Sequence, residues 1–177
     1  MRYYPYPEQG INTVISSGVL TVSFETIIPS APMQLVPIAK SLEENVSLSN
    51  LPHLLQSVEY FNRIGYDPPW IGYYAMEDGK FVGSGAFKGK PVNDTVEIAY
   101  GTFDSFMNNG IGTAICRALV QLSLKTDPRI KITARTFEMN NASCRVLQKN
   151  GFNLRGTVID PEDGEVFEWE YPEQITP

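Results

Sequence analysis

The chain has 177 residues, of which 42% are hydrophobic and 19% charged, the composition of an ordinary globular protein large enough for one domain. Its 20 acidic and 14 basic side chains give a formal charge of −6, which argues against sequence-independent binding to nucleic acid. No stretch approaches about 18 uninterrupted apolar residues, and residues 1–10 lack a basic segment before an apolar run, so we expect neither a spanning helix nor a signal peptide.

The two cysteines, Cys116 and Cys144, both fall in helical patterns and show no spacing typical of metal ligands. They are interpreted as reduced thiols of a cytoplasmic protein, and no metal site is predicted. His53, the only histidine, lies between leucines in a helical pattern and is interpreted as a structural residue. With one histidine, a Ser-His-Asp hydrolase has no support in the sequence.

The first 65 residues predict strands followed by helices. β-branched residues are frequent over residues 11–28, which favours one or two strands. Helical spacing follows over residues 38–45 and again over 51–64, where one face is apolar: Leu51, Leu54, Leu55, Val58 and Phe61. The pair Pro68-Pro69 ends this segment.

Three antiparallel strands are predicted next, over residues 70–75, 81–87 and 96–102, the first two joined by an Asp78-Gly79 hairpin turn. The helix after Gly110 has a core-facing stripe of Ile111, Ala114, Ile115, Ala118, Leu119 and Leu122. Asp127-Pro128 stops this helix.

The remaining residues predict a strand, a short helix and a hairpin. The strand covers 131–137, and the helix after Asn140 ends at Gly151, with Phe152 placed to pack back on Leu147. Residues 153–159 and 165–171 form the closing hairpin. This order predicts one α/β (α+β) domain over residues 1–177, with a mixed, largely antiparallel twisted sheet and helices on both faces. Residues 1–65 would form its acceptor side, and residues 70–171 its cofactor-binding core and closing hairpin.

The turn between the third of these strands and its helix indicates an anion site. Gly110 and Gly112 open the helix, where unpaired backbone N–H groups and the positive end of the helix dipole meet. A phosphate-bearing ligand is the usual occupant of such a site. The turn lacks the Lys-Ser or Lys-Thr pair of a Walker loop and the third glycine of a dinucleotide fingerprint.

These features together resemble the GNAT superfamily of N-acyltransferases, which bind acetyl-coenzyme A. The resemblance covers about residues 70–171 and is closest to the ribosomal-protein alanine N-acetyltransferases. It is carried by the strand 96–100, the loop 107–112 and the spaced residues of the second motif, Asn140, Ser143, Val146, Leu147, Lys149, Gly151 and Phe152.

The resemblance implies a set of residues that bind coenzyme A: Tyr100, Gly101, Thr102, Met107, Asn108, Asn109, Gly110, Ile111, Gly112, Thr113 and Asn140. The strand is expected to splay at Tyr100–Thr102, where its backbone would pair with the pantetheine and offer an N–H to the oxyanion. Two positions depart from the family. Met107 stands where the phosphate loop usually has Gln or Arg, and Leu147 where many members have a tyrosine that assists the departing thiolate.

Two residues are the candidates for catalysis. Glu97 is the best candidate for a base, acting directly or through water, and its alternative is a solvent-facing or salt-bridged strand residue. Ser143 would donate a hydrogen bond to the thiolate, and its alternative is an ordinary first-turn helix residue. Asn140 caps its helix, touches the cofactor, or does both. Six aromatic residues could line an acceptor pocket or simply pack in the core: Tyr3, Tyr4, Tyr6, Trp70, Tyr73 and Tyr74.

The predicted function is therefore transfer of an acetyl group from acetyl-coenzyme A to a primary amine, by direct attack. The acceptor, a protein N-terminus or a small molecule, stays open. The competing hypothesis is a module of the same fold that binds coenzyme A or senses it with weak or no catalysis, which the departures at Met107 and Leu147 favour. We expect no nucleic-acid or membrane partner, and a homodimer is compatible with the sequence.

Overall fold

The computed structural model describes residues 11–16, 19–24, 32–139, 141–161 and 163–173. The chain divides into two compact units, Met1–Ala31 and Pro32–Pro177. In the first unit, β1 (Ile11–Ser16) pairs antiparallel with β2 (Val19–Phe24), so that Ile11 lies opposite Phe24. Two strands therefore form within the β-branched segment.

The second unit contains a mixed sheet of seven strands in the order β3-β4-β5-β6-β7-β9-β8. The strands are β3 (Gln34–Pro37), β4 (Gly72–Glu77), β5 (Lys80–Phe87), β6 (Thr95–Thr102), β7 (Lys131–Thr136), β8 (Asn153–Asp160) and β9 (Gly164–Glu170). Only β6 and β7 pair in parallel. The predicted mixed, largely antiparallel α/β fold is confirmed. The Asp78-Gly79 turn also forms as expected, with φ values of 47° and 74°.

Three α-helices pack on this sheet: α1 (Leu54–Ile64), α2 (Ile111–Thr126) and α3 (Ala142–Lys149). The helix predicted over 38–45 is wrong, because the chain instead forms a 3-10 helix at Glu43–Leu48. Its position is set by a non-local contact: the buried Asn45 side chain accepts from the Ala39 N–H and donates to the Ala39 carbonyl, both at 2.9 Å. His53 precedes α1 in a left-handed conformation rather than lying on the helix.

The helices cover both faces of the sheet. Tyr73 and Tyr74 are successive on β4 and so point to opposite faces. Tyr73 belongs to the large core beneath α2 and α3, whereas Tyr74 packs with Leu54 and Val58 of α1. Leu55, predicted on the apolar face, is 49% exposed because it lies about 100° around the helix from Leu54.

The predicted stripe of α2 is confirmed at its centre and shifted at its edge. Ile111, Ile115 and Leu119 are buried, but Ala114, Ala118 and Leu122 are only half-buried. The flanking Cys116, Val120 and Ser123 are fully buried instead. The helix is therefore rotated toward β5 and β6, and it ends at Thr126, directly before Asp127 as predicted.

The end of α3 has the predicted Schellman geometry. Phe152 N–H donates to the Leu147 carbonyl at 3.0 Å, and Gly151 adopts a φ of 85°. The closing hairpin of β8 and β9 follows. None of the helices in the described ranges combines the length and the apolar character that crossing a bilayer would require.

Candidate active site

The sheet opens between β6 and β7. The two strands pair only at Thr95, Val96 and Glu97. Beyond Glu97, β6 keeps its pairing with β5 up to Thr102, and β7 keeps its pairing with β9 up to Thr136. The predicted splay is thus present and begins at Glu97. It leaves backbone groups of the second half of β6 facing a gap rather than a neighbouring strand.

A cavity of about 390 Å³, here called the loop cavity, lies where this gap meets the start of α2. Its wall contains nine of the eleven predicted cofactor residues: Tyr100, Gly101, Thr102, Met107, Asn108, Gly110, Ile111, Gly112 and Thr113. Asn109 belongs to the loop but not to this wall. Asn140 lies outside the described residues. Sequence neighbours and distant residues thus converge on one cavity.

The loop into α2 has the backbone geometry of an anion cradle. Asn108 and Gly110 both adopt left-handed conformations, with φ values of 64° and 78°. The first bond of α2 runs from Ala114 N–H to the Gly110 carbonyl at 3.1 Å, so the preceding N–H groups emerge at the helix end. Gly112 allows close packing there, since a Cβ would lie 3.3 Å from Thr102 Oγ1 and 3.5 Å from Val146 Cγ2.

The far wall of the loop cavity is formed by α3, which adds residues that the sequence analysis did not select. Ser143 lines it as predicted, together with Ala142, Arg145, Val146 and Lys149. Residues 142, 145, 146 and 149 follow helical spacing, a signal that could have identified this face in advance. α3 itself is capped by Asn141, whose side chain accepts from Cys144 N–H at 2.9 Å, so the predicted capping role belongs to Asn141.

A second cavity of about 270 Å³, the cleft cavity, lies in the opening between β6 and β7. Glu97, Ala99, Arg135 and Phe137 line it, with Asp163 from the β8–β9 turn. Tyr100 and Ser143 line both cavities. The two predicted catalytic residues, Glu97 and Ser143, are therefore brought to one cavity, although 46 positions separate them in the chain (143 − 97).

Glu97 is held between two cations. Its Oε1 lies 2.9 Å from Lys88 Nζ and its Oε2 lies 3.4 Å from Arg135 Nε, and its side chain is 15% exposed. The alternative that the sequence left open, a salt-bridge partner, thus describes its contacts. A direct role as base requires the incoming amine to replace one of these cations. The base assignment itself stays a prediction.

Arg135 connects this ion pair to the closing hairpin. It also binds Asp160 and, at 3.4 Å, Glu168. Asp160 in turn accepts from the Asp163 N–H at 3.1 Å, which orders the β8–β9 turn beside the cleft cavity. Burial lowers the pKa of Arg135, but Glu97, Asp160 and Glu168 outweigh it and raise the pKa overall. Its buried Nε has no hydrogen-bond partner within the described residues.

Other residues considered in the sequence lie away from both cavities. Leu147 is 1% exposed in the core, so a side chain at this position of α3 packs inward rather than toward a thiolate. Trp70, Tyr73 and Tyr74 are buried in core packing, with Trp70 and Phe87 ring centroids 5.1 Å apart. Tyr3, Tyr4 and Tyr6 lie outside the described residues. No cluster of three potential metal ligands occurs among the residues that the structure describes.

Solved structures share this fold. Aminoglycoside acetyltransferase AAC(6')-Ib, solved with paromomycin and acetyl-coenzyme A, is 21% identical with a TM-score of 0.61, covering 81% of this chain and 95% of its own. RimL, a ribosomal L7/L12 alpha-N-protein acetyltransferase, is 18% identical with a TM-score of 0.60, covering 83% and 97%. A chimera of spermidine N-acetyltransferase SpeG from Vibrio cholerae is 11% identical with a TM-score of 0.60, covering 81% and 96%.

A search of curated proteins found no significant match. The model of the acetyltransferase (GNAT) domain, in contrast, matches residues 40–153, from before α1 to the start of β8. This range includes the opening of the sheet, the anion loop and all of α3. The chain therefore belongs to the GNAT family of acetyl-coenzyme A-dependent N-acetyltransferases.

Proposed function

We propose that this protein transfers an acetyl group from acetyl-coenzyme A to a primary amine by direct attack, without an acyl-enzyme. The observation that carries the proposal is the shared lining of the two cavities by Tyr100 and Ser143. One cavity ends in an anion cradle, and the other opens beside Glu97. Two ligands could thus meet at the gap between β6 and β7.

The loop cavity suits the phosphate-bearing half of acetyl-coenzyme A, which would supply the activated thioester. Backbone N–H groups at the start of α2 would bind pyrophosphate. The unpaired edge of β6 at Tyr100–Thr102 would align the pantetheine arm and offer an N–H to the carbonyl oxygen as it gains charge. These are backbone contacts, so the exposed Met107 leaves them intact.

The amine would enter from the cleft cavity. Its nitrogen forms the new C–N bond, the C–S bond breaks, and the nitrogen loses a proton to Glu97 or to water. The sulfur receives a hydrogen bond from the Ser143 hydroxyl. Holding both reactants in this geometry can itself contribute several kcal/mol to the rate.

The acceptor belongs to the class of primary amines. The titles of similar structures name an aminoglycoside enzyme, a ribosomal-protein enzyme and a spermidine enzyme. The cleft cavity presents both acids and bases, Glu97 and Asp163 against Lys88 and Arg135. We therefore propose to test amines of all three kinds.

The test combines binding with turnover. Acetyl-coenzyme A at a hundredfold its Kd should add about 2.7 kcal/mol to the free energy of unfolding, which raises the Tm by about 5–10 °C for a domain of this size. Free thiol release should then accompany acetylation of at least one amine. An unchanged Tm with millimolar acetyl-coenzyme A rejects the proposal.

A second candidate function is a binding or sensing module. The contacts of Glu97 favour it, because both carboxylate oxygens already face cations. Such a module would show the rise in Tm with coenzyme A but no acetylation across polyamines, aminoglycosides and peptides with free N-termini. Turnover of any of these amines excludes it.

A further inference from the structure

We propose that Arg145 and Lys149 of α3 bind the phosphate groups of the coenzyme A donor, replacing the polar loop side chain that Met107 lacks. This rests on the proposed function and adds to it the side chains that select a phosphorylated donor. Both residues line the loop cavity on the wall opposite the anion loop. They stand four positions apart on α3, so they share one face of the helix.

The charge of the loop cavity supports this assignment. The protein carries a formal charge of −6. The described residues lining the loop cavity nevertheless include two bases, Arg145 and Lys149, and no acid. The cleft cavity differs, because its lining pairs Lys88 and Arg135 with Glu97 and Asp163. Positive charge in excess is therefore confined to the cavity that has the anion cradle.

Packing holds α3 against the start of α2. The Asn150 side chain, directly after Lys149, donates to the Thr113 carbonyl at 3.2 Å and to the Val146 carbonyl at 2.9 Å. Val146 also faces Gly112, where an added Cβ would approach it to 3.5 Å. These contacts join the last turn of α3 to the first turn of α2. The two bases are consequently fixed beside the emerging N–H groups of the loop.

The loop itself supplies no charge on its own side. Met107 is 52% exposed and lines the same cavity. A thioether offers at most a weak acceptor and no donor to a phosphate. A phosphate bound at the backbone N–H groups would thus draw its side-chain donors from α3.

The experiment measures the Kd of coenzyme A, 3′-dephospho-coenzyme A and pantetheine by calorimetry. Arg145→Gln and Lys149→Gln should each weaken coenzyme A binding by about threefold to tenfold, because each removes one charge-assisted contact that is partly screened by solvent. Pantetheine, which has no phosphate, should bind all variants equally. Dephospho-coenzyme A shows which phosphate is held: a retained loss assigns the pyrophosphate, and an abolished loss assigns the 3′-phosphate.

Lys125→Gln is the matched control. Lys125 and Lys149 are each the basic residue in the last turn of their helix. Removing either affects the helix dipole similarly, but Lys125 does not line the loop cavity. Lys125→Gln should leave the Kd of coenzyme A unchanged. Met107→Arg, added to Lys149→Gln, should recover binding by returning a cation to the same cavity.

Two results overturn the inference: Kd values of coenzyme A that match wild type in both variants, or an equal loss for pantetheine. Melting curves of the variants without ligand check that the fold is retained. If wild type binds coenzyme A and the variants bind equally well, only this inference fails. If wild type does not bind coenzyme A, the proposed function fails.

Discussion

The hydroxyl of Tyr100 donates to the main-chain carbonyl of Ser143 at 3.3 Å, joining β6 to α3 across the opening of the sheet. Burial raises the pKa of Tyr100 far above its ordinary value, and the nearby Cys116 and Cys144 raise it further. The phenol therefore remains protonated in the working range of pH and acts as a donor. It positions the helix turn that carries Ser143.

Tyr100→Phe should lower kcat by about threefold to tenfold, the effect of one neutral hydrogen bond. Because the phenol does not titrate, the ratio of wild-type to variant kcat should stay constant between about pH 6 and pH 9. Tyr66→Phe is a control of the same bond type, since the Tyr66 hydroxyl donates to the Ile38 carbonyl at 3.2 Å, remote from both cavities. A ratio that changes with pH would contradict a purely positioning role.

Glu97→Gln separates the base from the salt-bridge partner. If Glu97 deprotonates the amine, kcat should fall by roughly a hundredfold, the residual activity should rise with pH, and the Kd of coenzyme A should be unchanged. If Glu97 only pairs with Lys88 and Arg135, the free energy of unfolding should fall and kcat of the folded enzyme should change little.

Lys88→Met is the matched variant, because it removes the 2.9 Å ion pair and keeps the carboxylate. Loss of kcat in Glu97→Gln but not in Lys88→Met assigns the effect to the carboxylate. Identical shapes of the pH–rate profile in wild type and Glu97→Gln would reject the base assignment.

Gly110→Asp should abolish binding of coenzyme A. A carboxylate at this position would project beside the phosphate cradle and repel the ligand. Gly79→Asp provides the control, since Gly79 and Gly110 have similar φ values of 74° and 78° and no atom within 4 Å of an added Cβ. Both variants should lose about 1–2 kcal/mol of stability from the left-handed backbone. Calorimetry should show binding only in Gly79→Asp, and equal binding would place the phosphates elsewhere.

Cys116 should be inert in the folded protein. It is fully buried, and burial raises the pKa of its thiol to about 12 from 9.0, although Arg117 lowers it slightly. Because the unfolded chain loses this proton first, the free energy of unfolding should fall as pH rises from about 9 toward 12. Cys116→Ala should lose less stability between about pH 9 and pH 10 in denaturant titrations. Rapid labelling of this thiol by a disulfide reagent in the native protein would contradict its burial.

The elements of the core could be predicted because their signals are local. The alternation in β5 and β6, the Asp78-Gly79 turn and the apolar spacing of α2 each lie within a few residues of one another. The errors occurred where distant residues decide: Asn45 moved the 3-10 helix by binding Ala39, and the packing of α2 rotated its buried face.

The amino-acid order alone was enough to indicate the anion loop and the fold, since Gly110 permits the backbone that the loop needs and hydrophobic periodicity reports which faces are buried. The roles of single side chains depended on tertiary structure. The contacts of Glu97 with Lys88 and Arg135, and the convergence of α3 on the loop cavity, join residues that lie far apart in the chain. Pairing between separated strands and helices brings them together, and no periodicity within one element encodes it.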